Sequence, residues 1–324
     1  MDEFDFYLPP ELIAQRPAHP RENARLLVYE RTNGRIADER FYNLLNYLPA
    51  PTTLVLNNSK VEKARLKFGK REVFLIKQVD ERTAEALVYP GKDFRSGTRL
   101  ELTEKLSAKV LGVRPDGLRR LEFNHHLRSP LLARHRQTPF PPYIKPDEKL
   151  AAEYQTVYAR DLGSKAAPTA GLHFSEQFLK MVKATLPVAE VTLHVGLGTF
   201  APLKPQNLKT GKLHEEHYSI AEKAAQRLNE AKHLTAVGTT TLRALESNIK
   251  RGRFIAGQFD TDIFIRPGYK FKAVDALITN FHLPKSSLLM LVAAFAGPDW
   301  RKLYEHAIKQ KYRFYSFGDA MVIV

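Results

Sequence analysis

Apolar and polar positions along this chain change their period from one stretch to the next, and each period predicts an element. Side chains alternate between two faces of a strand but return to one face of a helix every three or four residues. In the first 60 residues, 25–29 and 52–56 read as strands, Asn33-Gly34 as a turn, and 38–48 as a short helix ended by Pro49. Residues 61–145 are β-rich, with candidate strands at 64–68, 72–78, 84–88, 99–102, 107–113 and 118–123. Turns at Pro90-Gly91, Ser96-Gly97 and Pro115-Asp116-Gly117 separate them, a spacing that predicts a small barrel or sandwich. A basic helix is expected at 125–136. The run Thr138-Pro139-Phe140-Pro141-Pro142-Tyr143 cannot continue it and reads as a linker.

After the linker, strand and helix periods alternate, which predicts an α/β domain. Helices are expected at 149–158, at 176–186 behind a Ser175 cap, and at 221–233, 242–250, 287–296 and 300–311. Strands are expected at 190–195, 235–237, 262–265 and 276–278, with a closing strand pair in 312–324 around Gly318-Asp319. The fold class expected is α/β: a main α/β domain made of 1–60 plus 146–324, with an inserted small β-barrel domain at 61–145.

Composition narrows the possibilities. The chain has 324 residues, 44% hydrophobic and 26% charged, ordinary for a globular protein long enough for two domains. It has no cysteine, which excludes disulfides, thiolate metal sites and thiol nucleophiles. The opening MDEFDFYLPP is acidic and lacks the apolar stretch of a signal peptide, and the longest apolar run, 288–296, is too short to span a bilayer. A cytoplasmic protein is the expectation. The formal net charge is +15, gathered into basic groups around 60–71, 128–136, 250–253 and 309–313. That surplus favours nucleic acid as a partner over a merely solvated basic surface.

One arrangement recurs three times in the second half: a β-type or turn sequence, a polar hinge, then a helix start. The hinges are Pro168–Phe174, written PTAGLHF, then Gly238-Thr239-Thr240-Thr241, and Asn280-Phe281-His282. Helix starts present free N–H groups that hold anions, and open α/β sheets place ligands at strand carboxyl ends. A satisfied cap is the better reading of any one hinge; with three together, a cleft for a small polar ligand weighs equally against it. Residues 191–200, VTLHVGLGTF, end a strand in Gly196-x-Gly198, which lets a backbone approach a ligand but lacks the rest of a dinucleotide fingerprint. His214-Glu215-Glu216-His217 puts two histidines on one helical face, one residue short of a zincin spacing, so acid–base work or a surface loop is favoured over metal. Arg243 and Glu246, one helical turn apart, either pair with each other or leave Arg243 free to grip a carboxylate.

Five blocks stand in order along the chain: YQTVY leading to AAPTAGLHF, VTLHVGLGTF, VGTTTLRALES, the 37-residue stretch from Thr261 to Gly297, and YRFYSFGDAM. With PFPPYI and an early FDFYLPPELIAQRPAHPRENARLLV, they resemble the S-adenosylmethionine:tRNA ribosyltransferase-isomerase family of queuosine biosynthesis over nearly the whole chain. The resemblance implies transfer and isomerisation of the ribosyl moiety of S-adenosylmethionine. The acceptor is the aminomethyl-7-deazaguanine base (preQ1) at the wobble position of a tRNA with a GUN anticodon. The products are epoxyqueuosine-tRNA, adenine and methionine. S-adenosylmethionine is then a ribosyl-donor co-substrate, no metal is expected, and the enzyme works as a monomer without a membrane.

Such a reaction needs a base for the C5′ proton beside the sulfonium, a neutral acceptor amine and a proton for departing adenine. On matching motifs, His173, His194, His214, Glu216 and His282 are the candidates for these tasks. Arg243 is the candidate for the methionine carboxylate, and Thr169, Gly196, Gly198, Thr199, Thr240, Asp275 and Asn280 for lining the site. The chain departs from the family pattern at Asn57-Asn58-Ser59, where an Asp is usual in the middle, and in the His214 block, which has one histidine fewer. The insert is also short. Two other readings remain: an RNA-binding protein that kept the fold without turnover, and an S-adenosylmethionine enzyme, such as a methyltransferase, with another acceptor.

Overall fold

The computed structural model describes residues 2–196, 203 and 205–324. In chain order its strands are β1 (Arg25–Glu30), β2 (Arg35–Arg40), β3 (Thr52–Asn57), β4 (Ser59–Val61), β5 (Arg65–Phe68), β6 (Arg71–Gln78), β7 (Thr83–Tyr89), β8 (Arg99–Glu101), β9 (Ser107–Val113), β10 (Arg119–Phe123) and β11 (Arg136–Gln137). There follow β12 (Asp161–Ser164), β13 (Val188–Leu193), β14 (Lys212–Ile220), β15 (His233–Val237), β16 (Gly257–Ile263), β17 (Ala276–Asn280) and β18 (Ala320–Ile323). The helices are α1 (Pro130–Ala133), α2 (Glu176–Thr185), α3 (Pro205–Thr210), α4 (Glu222–Glu230), α5 (Thr239–Asn248), α6 (Ser287–Ala296) and α7 (Trp300–Lys309). The chain divides into two compact units, 1–61 with 141–324, and 62–140.

The larger unit is built on a sheet ordered β16-β14-β13-β3-β15-β17-β18-β1-β2. At its centre β13, β3, β15 and β17 run parallel. Every residue of β3 is buried. That is why its sequence, TTLVLN, is a continuous run and not an alternating one: both faces are covered. Val55 packs on one face with Ala236 and Leu277, while Leu54 and Leu56 pack on the other with Val237 and Ile278. Helices α4, α5, α6 and α7 cover the first face and α2 the second. The two strands that flank β3, β13 and β15, both follow it in the chain and lie on opposite sides of it. Connections diverge there, and α/β sheets open a crevice at such a point, beyond the strand carboxyl ends.

The smaller unit is one antiparallel sheet ordered β11-β5-β6-β7-β10-β9-β8 around Leu66, Val73, Ala86, Val110 and Leu121. Its six longer strands lie where the alternation placed them. The outer strands β11 and β8 are not paired with each other, so the sheet is not hydrogen-bonded into a closed barrel.

Several expected elements take another form. The basic helix at 125–136 shrinks to the single turn α1, started by Pro130 and capped by Ser129, because Arg136 and Gln137 are taken up as the strand partner of β5. The helix at 149–158 is one 3-10 turn, Glu148–Leu150. Beyond it, the side-chain amide of Gln155 accepts from Val61 N at 3.0 Å and donates to Val61 O at 2.8 Å, replacing a strand partner. The helix at 38–48 gives way to β2 and a 3-10 segment, Phe41–Tyr47. The closing strand pair is a single strand, β18, held between β17 and β1 and preceded by a tight turn. The His214 block is not helical: it lies in β14.

Candidate active site

Beyond the carboxyl ends of β15 and β17 lies a cleft of about 80 Å3. Four segments wall it: Ala166–Ala170, the Gly238–Thr240 start of α5, Thr279–Leu283 after β17, and Tyr315-Ser316 of the terminal turn. Val195, Tyr143, Ser286 and Leu288 complete the lining. Gly238 has a φ of +92°, a conformation that glycine adopts without strain, and this allows the chain to leave β15 and begin a helix at once. The three threonines expected as a hinge ahead of a helix are therefore its first turn. Thr241 Oγ1 donates back to Val237 O at 2.7 Å, while Thr239 and Thr240 face the cleft.

Asn280, the last residue of β17, organises the polar wall. Its Oδ1 accepts from Thr169 Oγ1 at 2.9 Å. Its Nδ2 donates to His173 Nε2 and to Tyr315 O, both at 3.2 Å. His173 Nε2 is thus an acceptor, and the ring carries its proton on Nδ1. His173 is buried behind the wall against Phe41, with ring centroids 5.0 Å apart. Desolvation pushes its pKa down to about 4, so it is neutral at pH 7. His282 lines the cleft itself, and its Nε2 lies 2.8 Å from Thr279 Oγ1. Apolar surroundings push its pKa down to about 3.

Next to the cleft, one turn along α5 from Thr239 and Thr240, Arg243 is buried and bonds through Nη1 to Glu216 Oε2. Glu216 Oε1 accepts from Gly196 N at 3.2 Å. Among the described residues, Arg243 Nε and Nη2 have no hydrogen-bond partner. Of the two alternatives for Arg243 and Glu246, the mutual pairing does not form. Glu246 instead accepts from Tyr269 Oη at 3.0 Å and from the backbone N–H groups of Lys272, Ala273 and Val274, which pins that loop.

The remaining candidates are placed as follows. His194 is half-buried just past β13 and packs against Gly163. Desolvation and then nearby His217 lower its pKa, and its Nδ1 has no partner among the described residues. His214 is exposed on β14 and does not line the cleft. Asp275 lies at the opposite, amino-terminal end of β17, where its Oδ2 accepts from Leu234 N at 2.7 Å. Gly198 and Thr199 lie outside the described residues. The cleft therefore brings together Thr169, Thr240, Asn280 and His282, with His173 behind them and Gly196, Glu216 and Arg243 adjoining.

Sequence reasoning passed over Tyr143, Tyr315, Ser316 and Ser286, all of which line the cleft. It also passed over Lys165, which is buried beside the lining Ala166 and has its pKa pushed down to about 8 by desolvation. A charged residue opening the apolar run KAAPTAG was the visible signal for Lys165. Nothing in their own motifs marked the tyrosines.

An α/β sheet with a divergence point, a largely apolar cleft at its strand ends edged by threonines and Asn280, and the neutral histidines His173 and His282 beside it define the class: an enzyme acting on a small ligand. The chain belongs to the family of queuosine biosynthesis proteins, whose model matches residues 1–323. A relative from Thermotoga maritima, named S-adenosylmethionine:tRNA ribosyltransferase-isomerase, is 46% identical over 335 residues, covering 100% of this chain and 99% of the relative. A relative of the same name from Carboxydothermus hydrogenoformans is 45% identical over 337 residues, with 100% and 99% covered. The crystal structure of S-adenosylmethionine tRNA ribosyltransferase from Thermotoga maritima matches with a TM-score of 0.57 and 39% identity, over 99% of this chain and 100% of that one.

Proposed function

We propose that this chain transfers and isomerises the ribosyl moiety of S-adenosylmethionine onto the aminomethyl-7-deazaguanine base at the wobble position of a GUN-anticodon tRNA. Epoxyqueuosine-tRNA, adenine and methionine are the products. The observation that carries the reading beyond family membership is Arg243, two of whose buried nitrogens, Nε and Nη2, have no partner among the described residues, one turn from the cleft. A planar guanidinium offering that Nε–Nη2 edge matches a carboxylate, which the methionine end of the co-substrate supplies. Glu216, bonded to the third nitrogen and to Gly196 N, holds the guanidinium in place.

His282 enters the reaction as a free imidazole in contact with the cleft and takes the proton-transfer task there. His173 positions: it fixes Asn280, which in turn fixes Thr169 and Tyr315. No metal enters this reading. The protein acts as a cytoplasmic monomer, and its seven-stranded unit is a barrel-like inserted domain.

The test is a product assay with S-adenosylmethionine and an anticodon stem-loop RNA bearing the aminomethyl-deazaguanine base. Release of adenine together with a mass gain on the RNA is expected. Release of S-adenosylhomocysteine makes the chain a methyltransferase. Binding of both substrates with no product makes it an RNA-binding protein without turnover.

A further inference from the structure

The cleft carries two tyrosine rings that the proton transfers leave without a task. Tyr143 and Tyr315 both line it, with ring centroids 4.6 Å apart and planes at 44°. Tyr315 has a φ of +72°, a conformation unfavourable for a residue with a bulky side chain. The turn that imposes it is fixed many times over. Asp319, almost wholly buried, accepts from Arg313 N at 2.8 Å and from its guanidinium Nη2 at 2.9 Å. Asp319 N donates to Arg313 O at 2.8 Å, and Gly318 N donates to Tyr315 O at 2.9 Å. Gly318 packs so tightly that a Cβ there would stand 2.5 Å from Arg313 O. Asn280 Nδ2 also donates to Tyr315 O at 3.2 Å, and Tyr315 N donates to Phe281 O at 3.1 Å. Tyr143 is held from its own side, its hydroxyl 2.8 Å from Ser316 Oγ and its carbonyl accepting from Gln15 Nε2 at 2.9 Å.

An unfavourable backbone conformation kept in place by this many contacts, at a cleft, points to what the residue presents there. Here that is a ring beside a second ring. We propose that Tyr143 and Tyr315 form the wall on which a planar purine-type base stacks, and that they position that base in the cleft. The inference rests on the reading of the cleft as the meeting place of S-adenosylmethionine and a modified tRNA base. Any such heterocycle offers a π-face to an aromatic side chain, whatever its hydrogen-bonding edge. Adenine of the co-substrate and the 7-deazaguanine of the RNA share this chemistry.

Calorimetric titration of the full-length protein, separately with S-adenosylmethionine and with the modified anticodon stem-loop RNA, tests the proposal. Tyr143→Leu and Tyr315→Leu are expected to weaken one of the two ligands by about 5- to 150-fold, the worth of one stacked base. Tyr315→Phe keeps the ring and is expected to keep wild-type affinity, which a role for the hydroxyl would not predict. Loss for S-adenosylmethionine identifies adenine as the stacked base, and loss for the RNA identifies the wobble base. Wild-type affinity for both ligands in both leucine variants overturns the proposal. Where Tyr315→Leu lowers the thermal midpoint, the half-buried Tyr143 decides alone. If the unsubstituted protein binds neither ligand, the functional reading falls first and this inference falls with it.

Discussion

Asn280 shows how one amide sets the character of the cleft wall. It gives both protons away, to His173 Nε2 and Tyr315 O, and takes one from Thr169. Asn280→Asp turns the donor edge into an acceptor and leaves His173 Nε2 and Tyr315 O facing like atoms. The expected loss is about 1–3 kcal/mol of stability, read as a lower thermal midpoint, with a shift of the pH–rate profile as His173 gains a proton. His173 also links stability to pH. Its folded pKa of about 4 lies below the ordinary 6.5, so the unfolded chain binds the proton more readily. Its contribution is full above about pH 6.5 and is lost as pH falls towards 4, by at most about 1.4 kcal/mol per pH unit. Thermal midpoints from pH 7 to 4 are expected to fall less steeply in His173→Gln than in the unsubstituted protein. At Arg243, substitution by Gln leaves Glu216 buried without its cation. A cost of about 3–5 kcal/mol is expected, together with weaker S-adenosylmethionine binding. Equal S-adenosylmethionine affinity in a folded variant would remove Arg243 from the site.

At the scale of elements, α6 is the support on which the Asn280–His282 segment rests. Its sequence SLLMLVAAFA is apolar almost all round, which suits a helix buried on most of its surface. Ser286 caps it by accepting from Leu289 N at 3.2 Å, and Gly297, with φ +76°, ends it. The helix has the bounds that the apolar run predicted. Leu289→Ala is expected to cost about 2–5 kcal/mol in a denaturant titration, because the side chain is fully buried and the cavity cannot refill. Elements at 149–158, at 125–136 and at the carboxyl end were misread for one shared reason. Each is claimed by a distant partner: Gln155 by Val61, Arg136 by Leu66, and Asp319 by Arg25. Local period carries no information about such partners.

For the whole molecule, the charge of +15 has a direct consequence. Binding of anticodon stem-loop or tRNA is expected to weaken steeply between about 50 and 200 mM salt, since each neutralised phosphate releases counterions. S-adenosylmethionine affinity, on the proposed contact with the buried Arg243 guanidinium, is expected to change far less over the same range. Equal salt dependence for both ligands would argue against an electrostatic RNA surface. The strands of 62–140 were legible because apolar and polar positions alternate there, and the α/β character of the rest because helix and strand periods alternate. Closure of the smaller sheet was not, since no sequence signal says whether β11 meets β8.

By itself the sequence determined the α/β class, the run of strands between β5 and β10, the apolar helix α6, and the blocks that mark the family. These depend on local period, turn chemistry and long matching runs. Only the tertiary structure decided how the site is assembled. It placed His173 behind the wall and His282 in it, gave Glu216 and not Glu246 to Arg243, sent Asp275 to the far end of its strand, and brought Tyr143 beside Tyr315. Partners separated by tens to hundreds of residues meet only when the sheet is built, and burial, which sets both the charge state of a histidine and the need of an arginine for a partner, exists only then.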